Sequence, residues 1–325
     1  MLAYERSTRK STRDYVQLAT QGVFRVLLVY TVEGGATRMR RSLRILTVHS
    51  AAKSFNADLA PLYSEARPGY SSEAVDRILN VSRLKQISGP NVLEIGAGTG
   101  KLTSSFLQKW SGSMKFLATE PSEGFRDELK KSLALQGLPP KGVELSIRDG
   151  TGQSTPALEG QDLVLFGQCY HWCSGDDTLK EAHRVLKGKA PIVLVWNVLD
   201  MDEPWIHDIE REIIDKYYIV DKDNAMIPRY LSQEWRKSFD TPTAQALFTP
   251  PETWYGGYQR SQVTTQQILN RVASISVISR LDAEEKGRVE KNVKKMLTRY
   301  FPTATPASLF PLIYKTDVTH AYRID

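Results

Sequence analysis

The stretch Val92-Leu93-Glu94-Ile95-Gly96-Ala97-Gly98-Thr99-Gly100 constrains the fold more than any other part of the chain. An apolar run ends abruptly at three glycines spaced two apart, and residues 101–107 then resume with helical spacing. That pattern describes a buried strand, a turn whose backbone approaches something closely, and a helix N-terminus aimed at the same place. Open α/β sheets hold nucleotide-like ligands at such a turn. The glycine spacing then sorts the ligands. A dinucleotide site needs G-x-G-x-x-G, and Lys101 stands where its third glycine belongs. A Walker loop needs four residues between its glycines; only three separate Gly96 from Gly100, and Leu102 follows Lys101.

Downstream residues repeat the strand–helix alternation. A second strand, Met114-Lys115-Phe116-Leu117-Ala118-Thr119, ends in Glu120, about twenty residues beyond the last glycine. A carboxylate there has two acceptor oxygens and can bond both hydroxyls of a ribose. A helix over 122–135 follows, with Ser122 as N-cap and Glu123 in the first turn. A third strand, 143–147, runs into Arg148-Asp149-Gly150, and a fourth, 162–166, runs into Gly167-Gln168-Cys169-Tyr170-His171-Trp172-Cys173. The C-terminal ends of such strands form the ligand edge of the sheet. A fifth strand ends in Val195-Trp196-Asn197, and the run 310–322 reads as a final antiparallel strand.

The E-x-G-x-G-x-G pattern from Glu94 to Gly100 resembles motif I of the class I methyltransferases, which bind S-adenosylmethionine (SAM). Gln168, His171 and Trp172 match an A-Q-A-x-H-W-F-like segment of the type 11 group related to trans-aconitate methyltransferase, with Gly167 and Cys173 as departures. Three more segments are similar to that group: Tyr63-x-x-x-Arg67-Pro68-Gly69-Tyr70, then Ala182-His183-Arg184-Val185-Leu186-Lys187, then Val195-Trp196-Asn197. The resemblance spans roughly residues 50 to 325 and is stronger over the cofactor half. It implies an α/β fold with a Rossmann-like, seven-stranded, mostly parallel sheet, helices on both faces and a cap over the acceptor pocket at about 200–280. It implies SAM as cofactor, held by Tyr63, Arg67, Glu94, Gly96, Ala97, Gly98, Glu120, Asp149 and Gln168. Asp149 would meet the adenine amino group, although an Asp before Gly is also a common turn former. Trp172 and Asn197 would face the acceptor.

The chemistry follows from an activated methyl group: the protein mainly has to hold an acceptor in line with it and exclude water. A base is needed only where the acceptor carries a proton, and His171 is the candidate, with orientation of the loop as its alternative role. The trans-aconitate resemblance points to a carboxylate acceptor, which needs a cation; Arg67, Arg260 and Arg271 are available. A hydroxyl acceptor served by His171 remains the alternative within the class, and a SAM-binding protein without catalysis the alternative outside it. The residues from 204 to about 218 read as a helix, as do 264–274 and 282–300, the last with a solvated charged face. Aromatics are dense between 226 and 258, where packing is commoner than a substrate cage.

Charge narrows the partners. The net charge is +6, yet residues 1–48 hold nine basic and three acidic residues. Taking these from the 43 Lys and Arg and the 37 Asp and Glu leaves 34 of each in the remainder. A segment 49–325 with no basic excess argues against nucleic acid as the substrate; the resemblance implies a small-molecule acceptor, and no obligate protein partner is evident. Its length suits one catalytic domain. Residues 1–48 read as a basic extension, either without regular structure or resembling a mitochondrial transit segment. The apolar run 26–30 is too short to span a bilayer. Cys169 and Cys173 are too few for a structural zinc site, so no metal is expected. They read as reduced thiols of a cytoplasmic protein, with mitochondrial location as the alternative.

Overall fold

The computed structural model describes residues 57–218 and 227–325, and the backbone of three strands nearer the N-terminus. The chain divides into two compact units, Met1–His49 and Ser50–Asp325. In the first, β1 (Arg13–Gln21), β2 (Phe24–Glu33) and β3 (Ala36–Arg40) pair antiparallel in that order. The expectation of an extension without regular structure does not describe these three strands. Their sequences carry the Val, Tyr and Thr residues that favour pairing, and glycine falls between successive strands in the sequence. The expected start of the second segment near His49 lies outside the described residues.

The second unit opens with α1 (Ala60–Ala66) and α2 (Ser72–Ser82), the latter capped by the Ser71 hydroxyl, which accepts from the Ala74 amide. Strand and helix then alternate: β4 (Asn91–Ile95), α3 (Lys101–Gln108), β5 (Met114–Thr119), α4 (Glu123–Leu135) and β6 (Val143–Arg148). The predicted Ser122 cap is present, its hydroxyl accepting from Phe125 N. β7 (Leu163–Gly167), α5 (Asp176–Val185) and β8 (Pro191–Leu199) complete the parallel part. The sheet order is β6-β5-β4-β7-β8-β10-β9. Five strands are parallel; β10 (Phe310–Tyr322) lies antiparallel between β8 and β9 (Glu252–Val263). The fold is thus the expected Rossmann-like, mostly parallel seven-stranded sheet.

Parallel strands covered on both faces must be apolar almost throughout, and they are. Val92, Phe116, Leu165 and Val193 pack with Ile78, Phe106 and Leu129 of α2, α3 and α4 on one face. Leu93, Ile95, Val164, Phe166 and Leu194 pack with Leu179 and Ala182 of α5 on the other. The chain leaves β4 to build β5 and β6 on one side, then returns to build β7 and β8 on the other. Strand order therefore reverses between β4 and β7, and the crevice at their C-terminal ends is where such sheets hold ligands.

A second layer follows β8. α6 (Pro204–Asp208) continues as a π-helical turn, Ile209–Ile214, and a 3-10 turn, Asp215–Tyr217, where the sequence predicts one helix. α7 (Pro242–Leu247) packs with α5, and α8 (Thr265–Ala273) begins at a capping box formed by Thr264 and Gln267. α9 (Ser276–Ser279) and α10 (Ala283–Tyr300) close it. Trp205, Ile213, Val272, Val293 and Leu297 bury their side chains together against Phe310 and Tyr314 of β10.

The cap expected over 200–280 is therefore interrupted: residues 252–263 belong to the main sheet as its edge strand. The polar composition of this stretch fits an edge, and the ladder shifts register opposite Tyr314 and Thr316, beside Gly256 and Gly257. Tyr255 and Tyr258 are exposed, at 63% and 60%, so they line no cage. Trp235 instead packs with Trp196 and Tyr230 at centroid distances of 4.4 and 6.2 Å.

Candidate active site

The glycine turn takes its shape from backbone geometry that glycine alone adopts without strain. Gly96, Gly98 and Gly100 have φ of 68°, 60° and 86°. A Cβ on Gly96 would stand 2.7 Å from Cys169 Sγ, so the β4 and β7 edges could not approach as they do. The Ala97 amide donates to Thr119 O at 2.9 Å, which ties the turn to the end of β5.

Glu120 follows on that strand and is 7% exposed. Its two carboxylate oxygens accept from Gly98 N (3.1 Å) and Ser122 N (2.9 Å). Arg126 donates to the Glu120 carbonyl at 2.6 Å and lies 3.9 Å from Asp149 Oδ1, so one guanidinium relates both predicted acids. Burial pushes the Glu120 carboxyl up to about 7 against the opposing pull of the Ser122 and Gly98 amides. Glu94 is buried beneath the turn. Its Oε2 accepts from Thr103 Oγ1 at 2.6 Å, and burial raises it to about 8. Glu94 Oε1 and Thr99 Oγ1 are buried with no hydrogen-bond partner. Orphan polar atoms beside a side-chain-free turn suit a polar, partly cationic ligand such as SAM.

Tyr63 lies within α1 and Arg67 is its C-cap. The Arg67 guanidinium lies 5.2 Å from the Tyr63 ring centroid, and its Nε donates to Ser274 Oγ at 3.0 Å. Burial raises the Tyr63 hydroxyl; Arg67 opposes that, while Cys169, Glu120 and Tyr314 reinforce it. Tyr63 therefore lies within electrostatic reach of both the glycine turn and the β10 edge.

Gln168 and Asn197 bond within the protein. Gln168, at φ 59°, donates its amide to Val195 O and its Nε2 to Asn197 O, both at 2.8 Å. Asn197 Nδ2 donates to Gly69 O and its Oδ1 accepts from Thr316 Oγ1, each at 2.8 Å. These bonds join β7, β8, β10 and the segment before α2 around the ligand edge. The indole of Trp172 packs on the second layer, and its ring lies 5.2 Å from that of His171.

His171 departs from the expected base. Trp196 Nε1 donates to its Nδ1 at 3.2 Å. Burial, with the positive charge of Arg229 beside it, pushes the imidazole down to about 3. A base works best when its pKa lies near the operating pH, so this ring is a weak proton acceptor. Of the three candidate cations, Arg271 is committed elsewhere: Tyr314 Oη accepts from its Nε at 2.8 Å, and Glu210 Oε1 lies 3.4 Å from its Nη1. Arg260 sits exposed on the edge strand β9, which leaves Arg67, half-buried between the Tyr63 ring and Ser274. Arg229 escaped the sequence reading. It stacks 4.3 Å over Tyr218, pairs with Asp215, and reaches Glu210 at 4.0 Å. No sequence signal marks it, because its partners and its approach to His171 arise from the tertiary fold. Among the described residues no group of His, Cys, Asp and Glu could hold a metal, and no helix is long and apolar enough to cross a membrane.

The profile of a methyltransferase domain family matches residues 92–189, from β4 to the turn before β8. An uncharacterized methyltransferase-like protein of Schizosaccharomyces pombe is 29% identical over 266 residues, covering 81% of this chain and 93% of its own. An uncharacterized methyltransferase of the same yeast is 27% identical over 251 residues, 75% of this chain and 87% of its own. Among solved structures, a candidate type II methyltransferase from Anaeromyxobacter dehalogenans shares the fold at a TM-score of 0.51, with 14% identity over 78% of this chain and 97% of that one. The domain match lies on the glycine turn, the acid after β5 and the β7 edge, and with these relatives it marks the chain as a SAM-dependent methyltransferase.

Proposed function

We propose that this enzyme transfers the methyl group of SAM to a carboxylate oxygen of a small-molecule acceptor, forming a methyl ester. The observation that carries this reading is His171. With its imidazole pushed down to about 3, the ring expected to serve as base is ill suited to removing a proton. A carboxylate acceptor arrives ionised and needs none. Arg67 supplies a positive charge for it, and the likeness of Gln168, His171 and Trp172 to the trans-aconitate group agrees.

When bound, SAM supplies a methyl carbon already activated by its sulfonium. Around it, Gly96, Ala97 and Gly98 offer a backbone without bulky side chains. Glu94 lies beneath the turn with one oxygen buried and unpartnered, and a cationic group nearby would favour its ionised form. Glu120 takes the ribose hydroxyls, Asp149 the adenine amino group, and Tyr63 and Arg67 cover the opposite side. Gln168 and Asn197 act by holding the strand ends in register, and Trp172 walls the acceptor side. We assign this catalytic unit to residues 49–325 and treat 1–48 as separate from it.

The test offers purified protein SAM with trans-aconitate and related polycarboxylates beside catechol and phenol. Carboxylates should accept methyl groups, and the product should release methanol in mild alkali. Alkali-stable ethers formed from the phenols alone would overturn the carboxylate assignment.

A further inference from the structure

We infer that Trp196 is a positioning residue that holds His171 as the Nε2–H tautomer, so that the imidazole serves the acceptor site as a hydrogen-bond donor. The inference rests on the proposed acceptor site but not on the identity of the acceptor.

The argument starts from the indole. Its Nε1 carries a hydrogen and has no lone pair to offer, so it only donates. Trp196 Nε1 lies 3.2 Å from His171 Nδ1. That nitrogen must accept, and a neutral imidazole that accepts at Nδ1 carries its proton on Nε2. Protonation of the whole ring, which would replace the acceptor at Nδ1 with a second donor, is opposed by burial and by Arg229. Nε2 points away from the indole, so the hydrogen it carries is directed to the ring's other side.

The indole is itself fixed. Trp196 is fully buried on β8. Trp235 and Tyr230 flank it at centroid distances of 4.4 and 5.0 Å, and Asp317 of β10 stands opposite it in the ladder. Tyr230 in turn donates to Asp317 Oδ2. The indole therefore cannot swing away to let Nδ1 take up a proton. His171 follows β7, at the C-terminal edge where the crevice opens. A donor N–H at that edge matches an oxygen of an anion.

The tautomer and the donor role are separately measurable on the full chain. Histidine-labelled protein should show a pyridine-type Nδ1 and a pyrrole-type Nε2 for His171, identified by the loss of its signals in His171→Gln. Trp196→Phe keeps a buried ring without the N–H and should release the ring to a tautomer mixture. With trans-aconitate as probe acceptor, Trp196→Phe and His171→Ala should raise KM about tenfold, the worth of one hydrogen bond. SAM affinity should stay within about twofold in both, which also shows that each variant folds. His171→Gln places an amide N–H near the position of Nε2 and should restore most of the loss; a base could not be replaced this way. A pyrrole-type Nδ1 in the wild type, an unchanged tautomer in Trp196→Phe, or a His171→Gln as impaired as His171→Ala would each overturn the inference. A wild type that binds SAM but leaves trans-aconitate unmethylated would count against the acceptor class, and the tautomer spectra would then decide the role of Trp196.

Discussion

Glu120→Ala is expected to weaken SAM binding about a hundredfold while the protein stays folded. The carboxylate sits at the end of β5 with one oxygen on Gly98 N and the other on Ser122 N. Each oxygen keeps acceptor capacity for a ribose hydroxyl. Two charge-assisted hydrogen bonds of about 1.5 kcal/mol each, lost together, correspond to roughly two orders of magnitude in affinity. Two effects on the fold oppose one another. The alanine leaves the Gly98 and Ser122 amides without their acceptor, but it also removes a carboxyl that burial already disfavours in its charged form. Thermal shift measures both. SAM at about a hundred times its dissociation constant should stabilise the wild type by roughly 2.7 kcal/mol. The same concentration should give the variant well under half of that, S-adenosylhomocysteine should behave alike, and NAD should shift neither. An unchanged SAM affinity in the variant would remove Glu120 from the cofactor site.

What was legible in the chain was what local chemistry dictates. The strand–glycine–helix unit from Asn91 to Gln108 could be read because a buried strand, positive φ and a helix start each leave a residue-level mark. Glu120 could be read because its position at a strand end follows from the same alternation. The edge strand β9 could not. Its twelve residues mix polar and aromatic side chains without a clean alternation, contain two adjacent glycines, and acquire their β conformation from the ladder to β10, almost fifty residues further along the chain. Arg271 looked like a candidate anion holder by residue type, and only the fold shows Glu210 and Tyr314 claiming it. His171 illustrates the same limit within the site. Its place on the loop after β7 was foreseeable, whereas burial and the charge of Arg229 lower its pKa and an indole on the neighbouring strand donates to its Nδ1, all of which arise from the tertiary fold.

Glu94→Gln is expected to change how both stability and SAM binding depend on pH. In the ligand-free protein burial raises the Glu94 carboxyl to about 8, from an ordinary value near 4.5. The folded state therefore holds a proton that the unfolded state releases over that interval. Where the folded state binds more protons, stability falls as pH rises. Measured against Glu94→Gln, the melting temperature of the ligand-free wild type should thus decline from about pH 5 toward pH 8. Glu120, raised to about 7, acts in the same sense within each protein, and His171, lowered to about 3, in the opposite one. Glutamine can still accept from Thr103 Oγ1 and never ionises, so the variant should melt higher than the wild type at pH 8 and show a shallower decline. SAM reverses the balance at this site. A cationic ligand beside the unpartnered Oε1 favours the carboxylate, so binding should release a proton, and wild-type affinity should rise between pH 6 and 8. Calorimetry in buffers of different ionisation enthalpy reads that proton directly. Glu94→Gln should bind SAM more weakly and release less. A melting-temperature difference between Glu94→Gln and wild type that stays constant from pH 5 to pH 8 would show that Glu94 is ionised before the cofactor arrives.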